Sequence, residues 1–116
     1  MHEVSIALSI LDIVLAKCAE VEGRKIDVVR VRIGEAAGVM PDALSFAFDV
    51  AKTDTMAGEA QLVIETVPLG GMCTACGRGF TLQEARYIFA CPLCSSESIE
   101  INRGREMEIV DMEIDS

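Results

Sequence analysis

Four of the five cysteines constrain the fold of this chain more than any other residues do. They form two Cys-x-x-Cys pairs separated by fourteen residues, Cys73-Thr-Ala-Cys76 and Cys91-Pro-Leu-Cys94. Two residues between cysteines make a tight turn that directs both sulfurs to one point, and two such turns complete a tetrahedral four-thiolate site. The spacing therefore predicts a zinc-ribbon-like module with a structural zinc ion at Cys73, Cys76, Cys91 and Cys94.

Other interpretations of the cysteines stay open on spacing alone. Four thiolates also bind iron, and a Cys-x-x-Cys pair can carry out thiol–disulfide exchange, as in an oxidoreductase. Catalysis by the bound metal is not expected, because four protein ligands leave no coordination position open. The fifth cysteine, Cys18, falls on the apolar face of a predicted helix and is expected to be buried.

The rest of the chain predicts two helices and three strands. The first helix covers Glu3–Glu22, with Val4, Leu8, Leu11, Leu15 and Cys18 at the spacing of one helical face, and is expected to end at Gly23. The other predicted elements are a strand over Lys25–Ile33, a helix over Asp42–Lys52, a strand over Gln61–Val67 and a last strand from about Met107 to Asp115. This order predicts an α+β fold, with two helices on a small three-stranded sheet and the zinc-ribbon-like module inserted before the last strand.

The charge balance narrows the possible partners. A formal net charge of −9 argues against a phosphate-binding surface, and Arg78, Arg86, Arg103 and Arg105 are scattered around the module. No secretory signal and no membrane span is apparent. Five cysteines without export features favour a reducing cytoplasm. A zinc-ribbon adaptor or a nucleic-acid-binding module remains the alternative function.

The single histidine, His2, lies beside the N-terminal amine. A second residue is ordinarily frayed and unimportant. Here the amine of Met1, the deprotonated amide of His2 and its imidazole can close adjacent chelate rings around one ion. Nitrogen-rich, near-planar donor sets suit Ni(II) or Cu(II).

Five segments together resemble the HypA/HybF family of hydrogenase maturation nickel chaperones. They are MHEVSIALSIL, VRVRIGE, MCTACGRGF, YIFACPLCSS and GREMEIVDMEI, and they span essentially the whole chain. The resemblance implies a nickel-binding α/β domain over residues 1–67 and 104–116, and a zinc-binding domain over residues 68–103.

The resemblance also implies roles for individual residues. His2 corresponds to the essential nickel ligand, with Met1 and Glu3 contributing through the terminal amine, backbone nitrogens or carboxylate. Some family members have an acidic residue after the first strand that supports the nickel site. Met40 aligns with that position here, so Asp42, two residues on, is the nearest candidate.

The activity implied is that of a metallochaperone, and not of an enzyme. Ni(II) would be the cargo, delivered to the large-subunit precursor of a [NiFe]-hydrogenase with exchange with a HypB-type GTPase. The chain would act in the cytoplasm as a monomer or homodimer, without nucleic acid or membrane. Arg103-Gly104 is a possible hinge for swapping of the last strand.

Overall fold

The fold consists of two helices and two small sheets. The computed structural model describes residues 2–81 and 90–116, and of His2 the backbone alone. In chain order the elements are α1 His2–Glu20, β1 Lys25–Gly34, α2 Pro41–Ala51, β2 Gln61–Val67, β3 Gly70–Cys73, β4 Gly79–Thr81, β5 Ile99–Arg103 and β6 Met107–Asp115. None of these helices is long and apolar enough to cross a membrane.

The predicted fold class is confirmed. One sheet has the strand order β2-β1-β6, and the other has the order β4-β3-β5 and is inserted in the chain before β6. All five predicted elements are observed, with bounds that differ from the predicted ones by no more than two residues. The strands β3, β4 and β5 have no clear periodic signal in the sequence, because they are short and lie among turns and cysteines.

The chain packs into two compact units. The first comprises Met1–Arg32, Val39–Glu65 and Glu108–Ser116, and the second comprises Ile33–Gly38 and Thr66–Met107. The segment Ile33–Gly38 joins the second unit through backbone hydrogen bonds. The Glu35 amide donates to the Val67 carbonyl at 2.8 Å, and the Ala36 amide donates to the Gly104 carbonyl at 2.7 Å. The assignment of nickel and zinc to separate domains stays a prediction.

In the first unit, β1 is the central strand and alternates between a buried and a charged face. Val29 and Val31 are buried, whereas Arg30 and Arg32 lie on the opposite face. Each arginine is paired with two carboxylates of the flanking strands, and these pairs are Arg30 with Asp111 and Glu113, and Arg32 with Glu65 and Glu108. The four carboxylates outnumber the two guanidinium groups, so this face keeps an excess of negative charge, and its arginines are not available to bind phosphate.

The buried stripe of α1 is rotated relative to the predicted one. The buried residues are Ala7, Ile10, Leu11, Val14 and Cys18. Leu11 and Cys18 agree with the prediction, but Val4 and Leu8 are 44% and 48% exposed. The apolar residues of α1 cover a wider face than the part that packs against the rest of the unit. Buried and exposed apolar residues then share the same helical period, so the period alone does not show which of them are buried.

The end of α1 also differs from the prediction. Glu22, and not Gly23, takes the left-handed conformation, with φ of 55°. The Gly23 amide donates to the Cys18 carbonyl at 2.8 Å, and the Glu22 amide to the Ala19 carbonyl at 3.1 Å, which is the Schellman pattern. Gly23 is needed for space, because a Cβ there would overlap the side chains of Ile114 and Cys18.

The second unit is built on β3, which pairs antiparallel with both β4 and β5. Gly71 lies opposite Phe80 on one side and Ile101 on the other. Its few buried apolar residues among those described are Ile33, Leu69 and Phe80, together with Cys73 and Cys91. A core of this size contributes little folding free energy. The stability of the second unit therefore depends strongly on the cysteine cluster.

Candidate metal centre

The four cysteines of the two pairs converge in the second unit. Their sulfurs all lie within 4.8 Å of one another. Cys73 is the last residue of β3 and lies opposite Ile99 of β5, and its amide donates to the Arg78 carbonyl at 2.9 Å. The predicted cluster of Cys73, Cys76, Cys91 and Cys94 is thus brought together by the fold.

Each pair forms the same turn. The Gly77 amide donates to the Cys73 carbonyl at 2.9 Å, and the Ser95 amide donates to the Cys91 carbonyl at 2.8 Å. Amides inside the turns also point at sulfur, from Cys76 to the Cys73 Sγ and from Leu93 to the Cys91 Sγ, each at 3.4 Å. These N–H groups stabilise a thiolate at the first cysteine of each pair.

The distances fit a tetrahedral metal ion. The Sγ atoms of Cys73 and Cys94 are 3.5 Å apart, and those of Cys76 and Cys91 are 3.9 Å apart. Four sulfurs bound to zinc at about 2.3 Å would be separated by about 3.8 Å. A disulfide would require about 2.05 Å, and all four cysteines are free thiols. Both of these distances join one pair to the other, which favours a shared centre over a redox-active Cys-x-x-Cys.

The electrostatics of the cluster also favour a cation. A backbone hydrogen bond with Arg78 lowers the pKa of Cys76 to about 7. A backbone hydrogen bond with Ser96 lowers the pKa of Cys94 too, but hydrogen bonding with Cys73 and desolvation outweigh it and raise the value to about 12. Four adjacent thiols therefore do not all ionise unless a positive charge holds them together.

The second predicted site, at the N-terminus, is described only in part. Met1 lies outside the described residues, and so does the side chain of His2. Glu3 is half-buried in the first turn of α1, and its carboxylate accepts a hydrogen bond from the Met40 amide at 3.1 Å. Asp42 is exposed in the first turn of α2, two residues after Met40.

Contacts at both ends show that α1 and α2 run side by side in the same direction. Glu3 meets Met40 at the start of both helices. Near the far end, the Cys18 Sγ lies 3.8 Å from the Met56 Sδ, just beyond α2. The two positively polarised N-termini thus lie close together in the first unit, next to the proposed position of the nickel site.

The contact between Glu3 and Met40 was not predicted from the sequence. In a capping box, a Glu or Gln three residues after the N-cap accepts a hydrogen bond from the N-cap amide. Met40 is the N-cap of α2, and that third residue is Ala43, which cannot accept one. The lack of a local acceptor leaves the Met40 amide to water or to a residue elsewhere in the chain, and the sequence does not identify which.

The chain is similar along its length to known nickel metallochaperones. Residues 1–114 match the family model described as HypA, hydrogenase/urease nickel incorporation, metallochaperone. The hydrogenase maturation factor HypA of Picosynechococcus sp. is 43% identical over 98% of this chain and 99% of its own length. That of Chloroflexus aggregans is 42% identical over 97% and 98%.

Solved structures have the same fold. A solution structure of a HypA protein has a TM-score of 0.69 and 26% identity, and the match covers 98% of this chain and 96% of that one. The solution structure of the Ni metallochaperone HypA from Helicobacter pylori has a TM-score of 0.66, with 98% and 97% covered. At 23% identity, this second likeness concerns the fold alone.

Proposed function

This chain belongs to the HypA family of hydrogenase and urease nickel-incorporation metallochaperones, and on that premise we propose that it binds Ni(II) at Met1, His2 and Glu3 and delivers it to the large-subunit precursor of a [NiFe]-hydrogenase. The resemblance drawn from the five sequence segments is confirmed at the level of the family. The nickel ligands, the recipient and the route of delivery are the proposed part.

The start of α1 at His2 supports the nickel site. The first four N–H groups of a helix have no acceptor within the helix. Coordination by the deprotonated amide of His2 therefore breaks no helical hydrogen bond. The positive end of the helix dipole disfavours a cation, but acidic side chains in the first turns offset it, namely Glu3 in α1 and Asp42 in α2.

We propose that zinc occupies the four-cysteine site as a structural ion. The sulfur–sulfur distances carry this assignment, because they match a tetrahedral thiolate centre with no open position. The chain then acts as a carrier and not as an enzyme, with a closed structural metal in one unit and an exchangeable cargo in the other.

The proposed partners follow from the family. A hydrogenase-related recipient agrees with the family's role in nickel incorporation, and a HypB-type GTPase is the proposed exchange partner. The acidic surface would favour docking on basic patches of these proteins. Action in the cytoplasm, as a monomer or homodimer, is part of the same proposal.

The decisive experiment is isothermal titration of Ni(II) into untagged, zinc-loaded protein and its His2→Gln variant. Since the chain has no other histidine, the substitution removes the only imidazole, and nickel binding at the N-terminus should be lost. Zinc content and circular dichroism should not change. Equal nickel affinity in the two proteins would refute the proposed site.

A second comparison tests the role of the amine. A short extension before Met1 should weaken nickel binding, because it replaces the terminal amine by an amide. The Cys18→Ala variant is the control for nickel binding to a thiol, since Cys18 is buried in the first unit and lies outside the cysteine cluster. Its nickel affinity should equal that of wild type.

A further inference from the structure

We infer that a cleft in the second unit, at the end of β5, binds a carboxylate side chain of a partner protein between two arginines. The cleft has a volume of about 320 Å³ and is lined by Ile101, Asn102, Arg103, Arg105 and Glu106. This volume lies at the lower end of the range for ligand sites, about 300–1,000 Å³. The inference goes beyond the proposed function and depends neither on the nickel site nor on nickel delivery.

A β-bulge shapes the backbone of the cleft. Gly70 pairs with Arg103 and Gly71 pairs with Ile101, so Asn102 is an extra residue of β5 without a partner on β3. A bulge of this kind bends the strand and redirects the side chains next to it, and bulges are common beside functional sites. The side chains of β5 therefore leave the regular alternation of a strand at the cleft.

The turn after β5 is fixed by Gly104. Its φ is 107°, and a Cβ at this position would lie 2.5 Å from the Cα of Leu69. The Gly104 amide donates to the Glu106 carboxylate at 2.6 Å. The backbone between Arg103 and Arg105 is therefore held in one conformation, which limits the positions that the two guanidinium groups can take.

Neutral groups hold the guanidinium of Arg103 in place. Its Nη2 donates to the Phe80 carbonyl at 2.6 Å and to the Thr81 hydroxyl at 2.7 Å. The same group lies over Gly70, where a Cβ would come within 2.7 Å of the arginine Cζ. Neither acceptor carries a charge, so these contacts position the guanidinium without neutralising it.

The arginines of the cleft differ from those of the first unit in their ion pairs. Arg24, Arg30 and Arg32 are each paired with carboxylates. Over residues 2–81 and 90–116, neither Arg103 nor Arg105 forms an ion pair. Two such arginines in a chain with a net charge of −9 favour the binding of an anion from outside the chain.

The charge of the lining residues favours a carboxylate over a phosphate. Arg103 and Arg105 contribute two positive charges and Glu106 contributes one negative charge, which leaves a single positive charge. A carboxylate has one negative charge and matches this value, whereas a phosphate group carries about −1.5 to −2 at pH 7. The exposed Arg105 can bind both carboxylate oxygens with its fork of N–H groups, beside the fixed charge of Arg103.

The test is a titration of zinc-loaded, isotope-labelled protein, followed by amide chemical shifts. The probes are a capped peptide of alternating glutamate and alanine, the same peptide with glutamine in place of glutamate, acetate and inorganic phosphate. The acidic peptide should shift the amides of residues 101–106. It should bind about tenfold more tightly than the glutamine peptide, and more tightly than acetate or phosphate.

Three variants locate the binding site. Arg105→Ala should weaken binding of the acidic peptide about tenfold, because it removes the exposed guanidinium. Arg78→Ala is the matched control, since it removes an exposed arginine of the same unit that does not line the cleft, and it should bind as wild type does. Glu106→Gln can still accept from the Gly104 amide, and it should tighten the binding of both peptide and phosphate because it removes the negative charge.

Four results would overturn the inference. Equal losses in Arg105→Ala and Arg78→Ala would show attraction by overall charge alone. Equal binding of the two peptides, or shifts confined to residues outside the cleft, would show that no carboxylate binds there. Acetate or phosphate that binds wild type as tightly as the acidic peptide would exclude a protein carboxylate as the ligand. No nickel is present in these titrations, so their failure is distinct from failure of the N-terminal site.

Discussion

Gly77 and Ser95 occupy the same left-handed conformation, with φ of 73° and 64°, directly after the second cysteine of each pair. The two turns are thus equivalent in backbone but not in sequence. Glycine adopts this conformation freely, whereas a residue with a Cβ is strained by about 1–2 kcal/mol. The Cys91–Cys94 turn therefore carries strain that the Cys73–Cys76 turn lacks.

Exchanging the residue types at these positions should change stability in opposite directions. Gly77→Ala should destabilise the zinc-loaded protein by about 1 kcal/mol, purely through conformation, because its Cβ would meet nothing within 4 Å. Ser95→Gly should stabilise it by a few tenths to about 1 kcal/mol. Thermal unfolding with bound zinc measures both, and equal effects of the same sign would contradict the strain argument.

The end of α1 allows a similar pair of substitutions. Glu22→Gly should raise the free energy of unfolding by up to about 1 kcal/mol, since it relieves a left-handed residue. Gly23→Ala should lower it by about 2 kcal/mol or more, because the new Cβ would overlap Ile114 and Cys18. Denaturant unfolding tests both, and a Gly23→Ala variant as stable as wild type would disprove the steric role.

Metal removal should affect the two units unequally. Chelation should disorder the second unit, whose buried apolar residues are few. In amide NMR spectra, the peaks of Gly70–Cys73 and Ile99–Arg103 should lose dispersion, while those of α1, α2 and β1 keep theirs. A Cys94→Ser variant should show the same pattern, and Cys18→Ala should retain full zinc content.

Acid should weaken the attachment of β6 through one ion pair. The Arg24 guanidinium donates to Asp115 at 2.5 Å, and this hydrogen bond, reinforced by charge, lowers the pKa of the Asp115 carboxyl. A carboxyl whose folded pKa lies below its unfolded value of about 3.9 stabilises the protein above that pH, and the stabilisation is lost as pH falls through the folded value.

The Asp115→Asn variant should accordingly unfold at a lower temperature than wild type at neutral pH. The difference between the two melting temperatures should narrow below about pH 4. It should vanish once the Asp115 carboxyl is protonated in both the folded and the unfolded protein. Loss of zinc in acid affects both proteins equally, so the difference isolates Asp115. A gap that stays constant with pH would show that the ion pair contributes nothing.

The parts of the fold that were predictable from sequence are those with a local signal. The alternation of β1 and the spacing of Cys73, Cys76, Cys91 and Cys94 each arise within one element or one turn. The rotation of α1 was not predictable, because Val4 and Leu8 are as apolar as the residues that are buried. The bond between Glu3 and Met40 joins residues far apart in sequence, and only the packing of the two helices brings them together.

The insertion of the cysteine-containing unit between β2 and β6 has a consequence for the order of folding. The strands β2 and β6 both flank β1, yet the chain must close a loop of about forty residues before β6 can pair. When β3 and β5 pair, Gly70 lies opposite Arg103 and the effective loop shrinks to a few residues. Shortening the loop this much removes about 1.5 kcal/mol of closure entropy. A zinc ion bound at the four cysteines would hold this pairing in place, and so would favour the addition of β6 to a sheet that contains none of the proposed ligands.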